Sequence, residues 1–250
     1  MRKFPLANLI LPLVLGIFFS CSTVYQARSL EYSLYQVNSS RGTDSSLWRM
    51  LEPYGDSIRA SMSQVVGIAE KNLDKGQPES ELGNFVVDAF LTMARKQYAT
   101  QVDIAIMNHG GIRLTQLAAG PVTRGKIFEL MPFDNLLILQ KLSGSVLQQF
   151  LDLAAGRGGW PVAGMTMQIM DGKAVNVRVG GRPLDPSATY TVANSDFIAN
   201  GGDNADMLRG IPQISNGYLM RDALFDYIAW LKSQGKNISA AIGNRVTNAQ

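Results

Sequence analysis

Four glycine- or proline-marked stretches, ESELGN, NHGGIR, MPFDN and NSDFIANGGD, each follow or open a predicted element and carry side chains suited to a ring or a polyol. Asn108 and Asn135 offer a donor and an acceptor on one amide. Arg113 offers a planar fork that matches a phosphate or carboxylate. Phe133 and Phe197 stand at loop positions where helical or strand periodicity does not dictate burial. Two such rings, facing one another across a gap of one ring thickness, would clamp a flat heterocycle, with stacking contributing about 1–3 kcal/mol per base. Asp203, six residues beyond Phe197 around the Gly201–Gly202 corner, could then accept hydrogen bonds from two vicinal ribose hydroxyls. The stretch from Asn194 to Leu208 also reads as a plain turn, because ATYTVANS before it alternates like a strand and paired glycines suit a corner. Taken singly, no loop decides between pocket wall and turn.

The elements that must position these loops can be read from periodicity. Residues 44–74 read as helix, interrupted early by Pro53. Ser80 is a candidate N-cap for a helix in which Leu82, Phe85, Val86, Ala89, Phe90 and Met93 recur at helical spacing. VDIAIMN is a short apolar strand emptying into NHGGIR. TRGKIFELMPF predicts a short helix, NLLILQKLSG a strand and SVLQQFLDLAAG another helix. A hairpin turns at Asp171–Gly172, TYTVANSDFIA supplies a further strand, and NGYLMRDALFDYIAWLKSQG a long last helix. Strands and helices in irregular order predict an α+β fold: a single domain with a mixed β-sheet flanked by helices. Glu79 and Asn84 are expected to cap and bind the helix start, Trp160 to pack against a loop, and the methionines to fill core. His109 is expected to be a loop residue.

The N-terminus is expected to lie outside the fold. Arg2 and Lys3 precede the apolar run LANLILPLVLGIFF, and Ser20–Cys21 closes it, a secretory signal pattern. The sequence contains one cysteine. Its place after a small residue at the end of the apolar run fits a bacterial lipoprotein, in which Cys21 is lipidated and becomes the mature N-terminus. The bland alternative is an ordinary cleaved signal with an incidental cysteine. The expected division is 1–20 signal peptide, 21–43 tether with a strand near EYSLYQV, and 44–250 the folded domain, a lipoprotein anchored in the cell envelope. With Cys21 spent, disulfides and thiolate metal sites are excluded. The net charge of +3 is interspersed, with no basic stripe carrying interleaved aromatics, so no nucleic-acid partner is expected.

In order and spacing, NHGGIR, PFDN and DFIANGGD resemble the C-terminal, substrate-binding domain of the 5'-nucleotidase and UDP-sugar hydrolase family, over about residues 75–210. The resemblance implies that Phe133 and Phe197 sandwich a nucleobase and that Asp203 holds the ribose hydroxyls. It further implies that Asn108 and Asn135 make polar contacts with base or ribose, and that Arg113 is the arginine of the GGIR loop. Where the family places another arginine ahead of the helix start, this chain reads LDKGQPESELGN and offers Lys75, a point charge instead of a fork. The family's chemistry lies on a separate metallophosphatase domain whose two divalent metals need several His and Asp ligands. This chain has one histidine, His109, so the usual two-metal site cannot be assembled from it. No catalytic or metal-ligating residue is therefore expected here. The implied role is recognition of a nucleotide or nucleoside beside a separate metallophosphatase chain. The rivals are a non-enzymatic nucleoside-binding lipoprotein and a structural lipoprotein that has lost its ligand.

Overall fold

The computed structural model describes residues 29, 31–33, 42 and 44–249. The expected signal segment, Cys21 and most of the tether, with most of the strand expected near EYSLYQV, lie outside the described residues. By internal contact the chain divides into Met1–Trp48 and Arg49–Gln250. In the first unit the Asp44 carboxylate accepts the backbone N–H groups of Ser46 and Leu47 at 2.9 and 3.1 Å, opening helix α1, Ser45–Met62.

The second unit continues through β1 (Val65–Ala69), β2 (Leu73–Asp74), α2 (Glu81–Gln97), β3 (Ile104–Ile106), β4 (Gln116–Leu117) and β5 (Gly120–Thr123). Then come α3 (Arg124–Leu130), β6 (Leu137–Ser143), α4 (Gly144–Gly156), β7 (Val162–Ala163), β8 (Met165–Met170) and β9 (Lys173–Val179). The chain closes with β10 (Arg182–Pro183), β11 (Thr189–Ser195), α5 (Asp196–Ala199), β12 (Gln213–Ile214), α6 (Met220–Ser233) and β13 (Val246–Asn248).

Residues 44–74 do not form one helix. α1 stops at Met62, and Val65–Ala69 pairs antiparallel with β5. VVGIA is strand sequence: two β-branched residues together resist helix, and Gly67 lies where a Cβ would come within 2.7 Å of Ile228 Cγ2. Pro53 does not end α1 but stands inside it.

A five-stranded sheet in the order β12-β6-β11-β3-β7 carries the fold. β11 runs parallel to β3 and antiparallel to β6, so the sheet is mixed. Its strands alternate between two cores, as a period of two requires. Ala105, Leu137, Leu139 and Ala193 face α2 and α6 in one core. Ile104, Ile106, Leu142 and Val192 face the other, with α4 and a four-stranded sheet, β10-β9-β8-β13, packed on them. α2 begins where Ser80 accepts the Gly83 N–H, and it buries an almost continuous apolar face from Leu82 to Ala94. Trp160 is buried, edge-on to Phe150 with ring centroids 5.9 Å apart, a packing residue. This α+β arrangement with a mixed sheet and flanking helices is the expected fold class.

Strand direction decides where the loops meet. The C-terminal ends of parallel β3 and β11 lie at the same edge of the sheet. The N-terminal end of β6, antiparallel to β11, joins them there. Residues after Ile106, before Leu137 and after Ser195 are therefore gathered from three distant parts of the chain.

Candidate functional site

At that edge lies a cavity of about 300 Å³ lined by Asn108, Gly110, Gly111, Arg113, Phe133, Asn135, Phe197 and Asp203. The six side chains singled out in the sequence all line it. Each arrives by a different local device.

Asn108 precedes a single 3₁₀ turn, His109–Gly111. The turn is tight because Gly111 has no side chain: a Cβ there would come within 2.0 Å of Met107 Cε and 2.8 Å of Asn108 Oδ1. The chain then turns back, and the Arg113 N–H donates to the Leu130 carbonyl at 3.0 Å, fixing the loop to the end of α3. The exposed Arg113 side chain donates to the Gly110 carbonyl at 3.1 Å, and its guanidinium carbon lies 5.7 Å from the centre of the Phe133 ring. One ring face of Phe133 is thus shared with a cation.

Phe133 and Phe197 are each 46 % exposed, an unusual state for phenylalanine. The loop bearing Phe133 is held from α6. Arg221 is buried, donates to Asp134 at 2.6 Å and reaches the Met131 and Pro132 carbonyls at 3.3 and 3.4 Å. Phe197 sits at the start of α5, a turn capped by Ser195, whose hydroxyl accepts the Ile198 N–H. The Asp196 carboxylate accepts the N–H groups of both Phe197, at 2.8 Å, and Leu136, at 3.0 Å, tying the two ring-bearing loops together. Gly202 lies beneath the Phe197 ring, where a Cβ would come within 2.5 Å of Cε1. Only glycine allows this approach.

Asp203 adopts left-handed backbone angles, φ 52° and ψ 31°. That conformation is strained for a residue with a side chain and is commonest in Asn and Asp. It turns the carboxylate into the cavity, where Asp203 Oδ2 accepts a hydrogen bond from Asn108 Nδ2 at 2.7 Å. Asn108 is nearly buried, so this bond fixes the carboxylate from below. The amide donor expected to meet a ligand is thereby engaged with Asp203. Asn135 has no side-chain hydrogen bond among the described residues, which leaves its amide available to the cavity.

Lys75 is half-buried, and its ammonium donates to the Ile112 carbonyl at 2.7 Å. Burial, and secondarily the Arg113 charge, push its pKa down. Burial also pushes the His109 pKa down, with the Lys75 charge adding to it, and His109 Nδ1 is buried without a partner among the described residues. His109 therefore favours its neutral form. Both residues belong to the loop's support and neither lines the cavity.

Glu79 and Asn84 hold structure, as their place at the start of α2 suggests. Asn84 donates to Glu79 at 2.6 Å and to the Ala241 carbonyl at 2.9 Å, tying the C-terminal segment to α2. The supporting residues that sequence reading missed are Arg221, Asp196 and Gln140. Buried Gln140 donates to the Leu208 and Ile211 carbonyls, at 3.2 and 3.0 Å, and secures the chain just beyond Asp203. Its signal was present in LILQKLS, a glutamine at an inward position of a buried strand.

Comparison with known proteins bears on the fold that carries this cavity. The model of the 5'-nucleotidase C-terminal domain matches residues 61–210. The protein UshA of Yersinia enterocolitica is 29 % identical over 193 residues, 74 % of this chain and 34 % of the relative. A 5'-nucleotidase of Vibrio cholerae is 27 % identical over 191 residues, again 74 % of this chain and 34 % of the relative. The chain thus spans about a third of the length of these curated relatives. Among solved structures, the 5'-nucleotidase precursor of Thermus thermophilus superposes with a TM-score of 0.69 at 28 % identity, covering 81 % of this chain and 43 % of that one.

Proposed function

The chain belongs to the 5'-nucleotidase C-terminal domain family, and from that premise we propose that it recognises a nucleoside or nucleotide for a 5'-nucleotidase-type phosphohydrolase whose chemistry lies on a separate metallophosphatase chain. One observation carries the reading: two half-exposed phenylalanines, a spare amide, an arginine and a held carboxylate line a single cavity of about 300 Å³. The base lies between Phe133 and Phe197, and Asn135 reads its polar edge. The ribose hydroxyls meet Asp203, already oriented by Asn108. Arg113 takes the charged or sugar end. These residues bind and orient the substrate without moving a proton, and positioning alone can supply a large part of a rate enhancement.

The family implies two divalent metals, and this chain's donors do not fit them. The sequence holds one histidine, and among the described residues no group of three His, Cys, Asp or Glu side chains could hold an ion. No reaction step is assigned to this chain. Its place is the bacterial cell envelope, anchored by lipid on Cys21. Entry of labelled fatty acid into the wild type and not into Cys21→Ala tests that anchor.

Titration of the purified chain with adenosine, AMP and 2'-deoxyadenosine tests the recognition role. Saturable binding is expected, with no release of phosphate from AMP in divalent metal. Failure to bind any nucleoside sinks the reading, and metal-dependent turnover surviving repurification sinks the division of labour. A second reading, a binding lipoprotein with no catalytic partner, is favoured by Lys75. It donates to the Ile112 carbonyl and stands outside the cavity lining, where Arg113 is the one cationic side chain among the described residues, so a phosphate gains less there than a second lining cation would give.

A further inference from the structure

We propose that the apolar face of α1 is the docking surface for the metallophosphatase chain, an inference that rests on the reading above for the partner's identity. Leu51, Tyr54 and Ile58 follow one another at spacings of three and four and so share one side of the helix. They are 51, 70 and 59 % exposed, and α1 has no buried residue. A stripe of this kind normally faces a core.

The helix also has little reason to hold by itself. Pro53 and Gly55 stand inside it, each less favourable than alanine, by about 3 and about 1 kcal/mol. Helical stability in proteins comes chiefly from burial of an apolar face. Here that burial is missing until something covers Leu51, Tyr54 and Ile58.

Position and charge identify the occupant. The family match begins at residue 61 and concerns a C-terminal domain, so nearly all of α1 stands immediately ahead of it. The other two thirds of a relative such as the Yersinia protein must reach the domain from that side. The polar side of α1 carries Arg49, Glu52, Asp56 and Arg59, two bases and two acids, with Arg59 paired to Asp56. Helices that lie on anionic lipid carry a polar face rich in Lys and Arg, so this balanced face fits a protein and not a bilayer. On the reading above, the partner that fits this face is the metallophosphatase chain that carries the chemistry.

The test uses the full-length chain in its own cells with a photo-crosslinking residue at Tyr54, and the same residue at Asp56 on the opposite side as control. The expected result is one protein linked through position 54, identified by mass spectrometry as carrying the His and Asp ligand set of a two-metal phosphatase. That product should vanish in Ile58→Glu and be absent from position 56. Linkage of position 54 to lipid alone, to a second copy of this chain, to a protein without such ligands, or to nothing overturns the proposal. Purified Ile58→Glu should keep its melting temperature and adenosine affinity, because the residue is exposed and does not line the cavity. A crosslinked phosphatase with no nucleoside binding by the wild type would uphold docking and remove the recognition role. Nucleoside binding without the crosslink would do the reverse.

Discussion

Two polar clusters on this domain use their carboxylates in opposite ways. Near the start of α2, Glu79 accepts the Gly243 and Arg245 N–H groups at 2.8 and 2.9 Å and the Asn84 amide at 2.6 Å. Beside it Asp88 takes both terminal nitrogens of Arg245 at 2.7 and 2.8 Å. Around the cavity, Asp203 accepts one side-chain bond, from Asn108, and its other oxygen is left to the open side. Asn135, whose side chain has no hydrogen bond among the described residues, and two half-exposed rings stand beside it. A carboxylate can accept about four hydrogen bonds, and the count already taken separates a clasp from a binding group. Capacity used up inside the chain holds the fold together. Capacity left over is available to a ligand.

Arg245→Ala should break the clasp most visibly. It removes a two-pronged, partly buried ion pair and leaves Asp88 unpaired, a loss of about 2–3 kcal/mol in denaturant unfolding. Adenosine affinity of the folded fraction should stay at the wild-type value. If stability is unchanged, the cluster is not a clasp and the contrast collapses.

The opposite pattern is expected at the rings. Phe133→Ala and Phe197→Ala should each weaken adenosine binding by about 1–3 kcal/mol, the contribution of one stacked base. Their melting temperatures should stay near the wild type, since both rings are already half in solvent. Truncation of a core phenylalanine typically costs about 3–5 kcal/mol of stability instead. A large fall in melting temperature with unchanged binding, seen by differential scanning and calorimetric titration of the same samples, would make these rings core.

Asp203→Asn should give the smallest effect and the most selective one. The isosteric amide keeps its shape and one acceptor, so stability should hold while affinity for adenosine falls by about 1 kcal/mol. Affinity for 2'-deoxyadenosine should fall less, narrowing the preference for ribose. Equal losses for both ligands would mean that Asp203 does not read the vicinal hydroxyls.

The cavity lining was legible in the sequence because its residues sit on glycine- or proline-marked corners. Gly111 and Gly202 are required by close approach, and such corners advertise where a backbone must come near something else. The supports were not legible. Arg221 acts on carbonyls 88–90 residues away in sequence, and Asp196 on an N–H 60 residues away. Backbone partners leave no mark in residue type. Core strands and α2 could be read from period alone, whereas the end of α1 could not: SQVVGIAEKNLDK continues with apolar residues at spacings a helix would tolerate. What settles it as strand is the pairing of Val65–Ala69 with β5, a tertiary fact.

The placement of β11 has a consequence in time. It pairs with β6 on one side and with β3 on the other, through Val192 opposite Ile104, and it delivers Phe197 and Asp203 at its far end. Contacts so distant along a chain form late, because loop closure must precede any reward from pairing. While the ribosome is still adding residues beyond the middle of the sequence, Asn108, Arg113 and Phe133 exist but half the cavity does not. The cavity is therefore complete only once β11 has paired with both of its neighbours.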